Sequence, residues 1–433
     1  MGDFAQLGPV PTLHRLGRRP VAELEADLVH WSVERPIAVI IPALHEELER
    51  PALPRIVAEL ARIPYLEEVV LGLDGATACQ VARARDLLAP LPMPHRVLWH
   101  DGPRLLAIDE QLRHMGLAPP DRGKGRNLWY CLGYVLAAGR AEVIAFHDAD
   151  ILTYAKPMLG RLLYPVAHPD FGYVFAKGYY QRSDAQTLNG RVARLLMTPL
   201  LRALTTVVGH DDYLHYLAGF RYPLAGEVAM SRHVAASIAI PSDWGVEVGV
   251  LGEVYAHHGH RGVCQVEIAD RYDHKHQPLS AGDRTHGLHK MAIDIVRTLF
   301  TRLATGGTDL PPTTIDAIVA AYRRAAVDLM DVYRHDALLN GLTTSNALER
   351  AAVEVFAIAV DEAGTDHRGD PRGSAPFPSW STVRGAAPEV PPQLVAAVDA
   401  DNGLAGNPSS DGAPADSATT VRNGVSRSSA GRR

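Results

Sequence analysis

Val143-Ile144-Ala145-Phe146-His147-Asp148-Ala149-Asp150 decides the fold: a short apolar run ends abruptly in a histidine and two carboxylates two residues apart. Four apolar residues, two of them β-branched, are too few for a helix and read as a buried strand. Three upstream stretches share this character. They are Pro36-Ile37-Ala38-Val39-Ile40-Ile41-Pro42, Glu68-Val69-Val70-Leu71-Gly72-Leu73-Asp74 and His95-Arg96-Val97-Leu98-Trp99. Between them Leu53, Ile56, Val57 and Leu60 recur at helical spacing, residues 77–89 read as helix, and Lys124 to Ala138 forms a helix leading into the fourth strand. Residues 101–121 read as a long loop. Strands alternating with helices predict parallel βαβ units, in which ligands bind beyond the carboxyl ends of the strands. Polar groups stand at three such ends, in residues 42–46, at Asp74-Gly75 and in residues 147–150.

Outward from this α/β core, residues 1–35 read as an N-terminal arm with a short helix over 21–33, and residues 36–283 as the catalytic domain, less regular after residue 151. Residues 284–364 read as a helical extension, with helices near 284–304, 313–335 and 344–363. Beyond Gly364 the composition turns to Gly, Pro, Ser, Ala and Asp, so 365–433 is expected to be a largely disordered tail with a short helix near 393–398. The amphipathic spacing of Ile293, Ile295, Val296, Leu299 and Leu303 is expected to pack on the catalytic domain, and homodimerisation is a further expectation for such a helical addition.

With 43 Lys+Arg against 49 Asp+Glu, the formal charge is −6, and no general affinity for nucleic acid or membrane is expected. Residues 1–20 lack the apolar run of a secretory signal, and no stretch approaches the roughly 18 apolar residues that span a membrane. Cys79, Cys131 and Cys264 are odd in number, far apart and without metal-ligand spacing; core packing and a reducing cytoplasm fit them.

Six strings carry candidate chemistry. Asp148-Ala149-Asp150 at a strand end can share a divalent ion with substrate phosphates, Mg²⁺ or Mn²⁺ being suited to such oxygen ligands; a solvated turn with Asp150 as a helix cap accounts for it as well. Pro42-Ala43-Leu44-His45-Glu46-Glu47 can hold a base and ribose, although a helix start also favours its acids. Arg122-Gly123-Lys124-Gly125-Arg126 sets charge at a helix N-terminus, where anions bind, or is a solvated basic turn. In Pro223-Leu224-Ala225-Gly226-Glu227 and Asp243-Trp244-Gly245-Val246-Glu247-Val248-Gly249, isolated acids among small residues suggest acids facing a pocket, or else two surface loops. Tyr272-Asp273-His274-Lys275-His276-Gln277-Pro278 offers a histidine as a further metal ligand. His257-His258-Gly259-His260 is read as a loop without chemistry.

The order P-A-L-x-E-E, G-K-G, D-x-D, P-L-x-G-E, G-V-E-x-G and H-x-x-x-P-L across residues 36–280 resembles the retaining glucosyl-3-phosphoglycerate synthases. Those enzymes have a GT-A fold and move glucose from a nucleoside diphosphate glucose to 3-phosphoglycerate. The resemblance implies a metal-dependent glycosyltransferase with Mg²⁺ or Mn²⁺, cytoplasmic, in compatible-solute biosynthesis. It implies donor contacts at Pro42, Leu44, Glu46, Lys124, Asp148 and Asp150, and a metal at Asp150 and His274, with Asp148 as a possible addition. Glu247 and Asp150 would be catalytic, with Glu247 beside the sugar and acceptor hydroxyl, and Gly190 and Arg191 would hold the acceptor. An arginine fork suits its phosphate.

Departures from the family pattern are His45 for the usual Asn, Ala193 for the Thr after G-R-V, Asp74-Gly75-Ala76-Thr77 for Ser-Gly-Ser-Thr, and an extended 101–121 segment. Alternatives are the similar mannosyl-3-phosphoglycerate synthases or a transferase with another small acceptor. Less favoured are a nucleotidyltransferase, which carries a glycine-rich basic loop where residues 43–46 stand here, and a non-catalytic nucleotide-sugar binder.

Overall fold

A computed structural model describes Gln6 and residues 8–17, 19–119, 122–184, 186–274 and 277–404. Eight strands form one sheet: β1 (Thr12–Leu13), β2 (Ile37–Leu44), β3 (Leu66–Asp74), β4 (His95–Trp99), β5 (Val143–Phe146), β6 (Phe175–Arg182), β7 (Val228–Ser231) and β8 (Val263–Tyr272). Their order is β1-β8-β6-β7-β5-β2-β3-β4. All neighbours are parallel except at β7, which runs antiparallel to both β5 and β6. The expected mainly parallel α/β sheet is present.

Continuous apolar runs appear in the central strands because both faces are covered. Along β2, Ile37, Val39 and Ile41 enter one apolar cluster, while Ala38 and Ile40 enter the cluster on the opposite face. The helices Ala52–Leu60, Ala78–Leu88 and Lys156–Ala167 cover the first face, and Lys124–Ala138 the second.

Residues 101–121 are not one long loop: a helix occupies Pro103–His114. Pro103 opens it, where the missing N–H costs nothing, and Leu105, Ile108 and Leu112 bury one side. The helices Gly287–Thr305, Pro312–Leu339 and Asn346–Gly369 fall close to expectation. They share an apolar cluster with the second face of the sheet.

Order also continues well past residue 365. Phe377 pairs with Ile240, and helices follow at Trp380–Ala386 and Val390–Asp401, with Trp380, Val383, Val390 and Leu394 buried. The few large apolar groups of this segment are spaced to meet the catalytic domain, which a composition average conceals. Residues 405–433 of the expected tail lie outside the described residues, as do residues 1–5 of the N-terminal arm and Lys275 and His276.

Candidate active site

The carboxyl ends of β2, β3 and β5 open on a cavity of about 420 Å³, within the size range of small-molecule sites. Pro42, Leu44, Asp74, Asp148 and Asp150 come from those ends. The start of the helix Lys124–Ala138, residues 189–192, the segment 242–247 and His274 close the other sides.

At its centre the Lys124 ammonium lies 2.6 Å from Asp148 Oδ1 and 2.9 Å from Glu247 Oε1. Lys124 opens one helix, Asp148 follows β5, and Glu247 lies in the first turn of the helix Val246–His258. Three elements distant in sequence therefore converge on one cation. Burial alone would weaken the lysine's hold on its proton, but the charges of Asp148 and Glu247 outweigh it and raise its pKa well above the ordinary value. Burial likewise opposes ionisation of Asp148, and Lys124 overcomes it, holding that carboxyl below its usual range. The result is a fixed cation flanked by two carboxylates.

Beside this group, His274 Nδ1 stands 3.5 Å from Asp150 Oδ1, and both side chains are partly open to the cavity. The end of β8 is drawn to the β5 loop by three bonds: Leu152 N–H donates to the Asp273 carbonyl at 2.9 Å, Asp273 N–H donates to Thr153 Oγ1 at 3.2 Å, and Thr153 Oγ1 donates to the Arg271 carbonyl at 3.4 Å. An imidazole nitrogen and a carboxylate oxygen at this separation fit two corners of one divalent-ion shell. Among the described residues no group of three or more His, Cys, Asp or Glu side chains converges to hold an ion. The pair thus suits an ion that takes its remaining ligands from phosphate oxygens and water.

A buried layer supports the cavity floor. Tyr180 and Tyr272, stacked with ring centroids 3.7 Å apart, donate to Glu227 Oε2 and Oε1 at 2.6 and 2.7 Å. Burial, with Asp148 as the second cause, pushes the Glu227 acid up. Lys177, fully buried, donates to the Ala225 carbonyl at 2.7 Å, and burial lowers its pKa to about 8. Glu227 therefore does not face the pocket as its sequence context suggested; both its oxygens are engaged beneath it. Asp243 and Glu247 do line the cavity.

Of the residues expected from sequence, Pro42, Leu44, Lys124, Asp148, Asp150, Gly190, Arg191, Glu247 and His274 all border this cavity. Glu46 does not. The 3₁₀ turn His45–Glu49 directs Glu46 outward, 3.7 Å from Arg50, while Glu47 is buried on the cavity side and 3.5 Å from the same arginine. A 3₁₀ turn advances 120° per residue, so adjacent acids cannot share a face. Arg182, at the end of β6, also lines the cavity and donates to Tyr222 OH at 3.3 Å. A lone arginine at a strand end gives no motif, and its sole signal is the preceding pair Tyr179-Tyr180. His257 and His258 end the helix Val246–His258 rather than forming a loop.

No protein-family model matches the chain. A glucosyl-3-phosphoglycerate synthase of Persephonella marina is 40% identical over 402 residues, covering 93% of this chain and 99% of that protein. One from Methanococcoides burtonii is 39% identical over 374 residues, 85% of this chain and 91% of that protein. Among solved structures, glucosyl-3-phosphoglycerate synthase from Mycobacterium tuberculosis, in complex with Mn²⁺, uridine-diphosphate-glucose and phosphoglyceric acid, aligns with a TM-score of 0.50 at 25% identity. That alignment covers 68% of this chain and 88% of that one.

Proposed function

Because the chain belongs to the glucosyl-3-phosphoglycerate synthase family, we infer that it transfers glucose from a nucleoside diphosphate glucose, UDP-glucose in the first instance, to the free hydroxyl of 3-phosphoglycerate. The observation that carries this reading is Lys124 bridging Asp148 and Glu247 beside the Asp150–His274 pair, all on one cavity. The base and ribose rest against Pro42 and Leu44, the diphosphate lies toward Asp150 and His274, and the sugar sits against the Lys124–Glu247 pair. Arg191 takes the acceptor phosphate; among the described residues its guanidinium has no hydrogen bond or ion pair, so it is available to an anion.

A divalent ion held by Asp150 and His274 supplies, when bound, neutralisation of the leaving diphosphate's charge. Lys124, kept protonated by its two carboxylates, donates to the phosphate-bearing part of the donor. In the reaction the bond from the sugar's anomeric carbon to the diphosphate breaks and a bond from that carbon to the acceptor oxygen forms on the same face, retaining configuration. The acceptor proton passes to the departing diphosphate. Glu247 orients the acceptor hydroxyl and stabilises positive charge on the sugar as it develops. Asp148 acts through Lys124.

A cytoplasmic location accords with three free cysteines; no described helix is long and apolar enough to cross a membrane.

The decisive test incubates the protein with UDP-glucose, Mg²⁺ or Mn²⁺ and 3-phosphoglycerate, and measures UDP release together with the mass and anomeric NMR signals of the product. The reading predicts acceptor-dependent UDP release and an α-linked glucosyl product. Release that ignores 3-phosphoglycerate, or a product carrying another sugar or acceptor, would sink it.

A further inference from the structure

We propose that Arg194 is a positioning residue for the acceptor, joining the loop that carries Gly190 and Arg191 to the C-terminal helices. The inference rests on the reading that this loop holds the acceptor.

Arg194 and Glu349 lie 155 residues apart, both nearly fully buried, with Arg194 Nη2 2.7 Å from Glu349 Oε1. The same guanidinium donates from Nε to the Asn189 carbonyl at 2.8 Å and from Nη2 to the Leu188 carbonyl at 3.3 Å. It also lies over the Tyr333 ring, 5.1 Å from its centroid. Leu188 and Asn189 immediately precede Gly190-Arg191, so one buried fork grips the main chain that aims Arg191 into the cavity.

A second tie reaches the loop from the turn between the helices Pro312–Leu339 and Asn346–Gly369. Thr343 N–H donates to the Gln186 carbonyl at 2.7 Å, and Leu188 N–H donates to the Thr343 carbonyl at 3.1 Å. A third holds the far side of the loop, which enters a π-helix over Val192–Met197. There Tyr322 OH donates to the Leu195 carbonyl at 2.6 Å. No contact in this set touches the donor side of the cavity.

The arrangement separates acceptor from donor. An arginine can bond a carboxylate and two carbonyls at once because its donors diverge in one plane; a lysine keeps the charge and loses the fork. Glu349→Gln keeps an oxygen for Arg194 while removing the ion pair.

Arg194→Lys and Glu349→Gln are compared with the parent protein by steady-state kinetics in both substrates and by thermal melting. The proposal expects the KM for 3-phosphoglycerate to rise about tenfold or more in Arg194→Lys, as misplacement of a positioning group does. A smaller rise is expected in Glu349→Gln, with the KM for UDP-glucose within about twofold of the parent in both. Equal rises in the two KM values, a fall in kcat alone, or a lower melting temperature with both KM values unchanged would overturn it. Should Arg194→Lys not fold, the Glu349→Gln split decides by itself. If the parent protein turns over a different acceptor instead, the functional reading falls, and the same split measured with that acceptor still decides this inference.

Discussion

Gly226 leaves room for Asp148: a Cβ at position 226 would lie 2.4 Å from Asp148 Oδ2 and 2.8 Å from its Cγ. The carboxylate that holds Lys124 is thus seated against bare backbone, at the turn into β7. Alanine at 226 must push Asp148 off that seat, and an aspartate is too short to move its carboxylate while keeping its bond to Lys124. Gly226→Ala is expected to lower kcat/KM for the donor by about 100-fold, the scale for a misplacement near 1 Å. Steady-state kinetics with UDP-glucose, alongside a melting curve to verify folding, check this. Unchanged kinetics in a folded variant would remove Asp148 from the donor site.

Asp150 and His274, the pair proposed to hold a divalent ion, stand 3.5 Å apart. Losing the carboxylate leaves one neutral imidazole, which cannot balance the ion's charge. Asp150→Ala is therefore expected to lose Mn²⁺-dependent UDP release by about 100-fold or more, and His274→Ala by about 10-fold at saturating metal. Activity titrated against Mn²⁺, with a chelator blank, reads both. Full activity of Asp150→Ala in chelator would end the metal assignment.

Burial, and then the neighbouring Asp294 carboxylate, push the Asp243 acid up to about 6 from an ordinary 3.8. Between those values the folded chain holds a proton that the unfolded chain has released, so this group makes stability fall as pH rises through the window. Above it both states are ionised, and the folded state bears the full cost of the charge. Asparagine keeps an oxygen for the Gly245 N–H, which donates to Asp243 Oδ1 at 2.9 Å, and carries no charge. Asp243→Asn is expected to be more stable than the parent near pH 7.5 by about 1–2 kcal/mol, the nominal ~3 kcal/mol being reduced by solvent at an open cavity wall. The gain should vanish near pH 4. Urea melts across that range check it, and a gain independent of pH would exclude titration as its cause.

The sequence exposes what is local and hides what is assembled from afar. β2 to β5 are legible because each is a short apolar run ending in turn residues, and Lys124–Ala138 because its apolar positions recur in helical register. The helix Pro103–His114 has a signal too, in Leu105, Ile108 and Leu112 behind an N-terminal proline. Asp148, Asp150, Lys124, Glu247 and His274 sit in compact motifs, whereas Arg182 and Arg194 stand in none. What gives Arg194 its place is Glu349, in a helix that no local reading connects to it. Glu46 and Glu47 differ for a subtler reason: choosing between adjacent acids requires the phase of a single 3₁₀ turn.

Trp380 carries the last of these hidden connections. Its ring stacks on Trp129 at 4.5 Å, its Nε1 donates to the Trp129 carbonyl at 2.7 Å, and Trp129 Nε1 donates to the Pro378 carbonyl at 2.7 Å. The ring fills a notch at Gly133, where a Cβ would come within 2.0 Å of it. Nearby, Phe377 and Ile240 exchange backbone hydrogen bonds of 2.8 and 3.0 Å. A segment that composition marks as unstructured thus clamps the helix that begins at Lys124 to the chain that leads into Glu247. Trp380→Ala is expected to cost about 3–5 kcal/mol of stability, the range for emptying a buried aromatic site. At urea concentrations where the variant remains folded, its KM for UDP-glucose should also rise, since the clamp spans Lys124 and Glu247, the pair proposed to meet the sugar. Urea denaturation and donor kinetics read the two effects separately. A loss under about 1 kcal/mol would mean that the segment beyond residue 369 lies against the catalytic domain without bracing it.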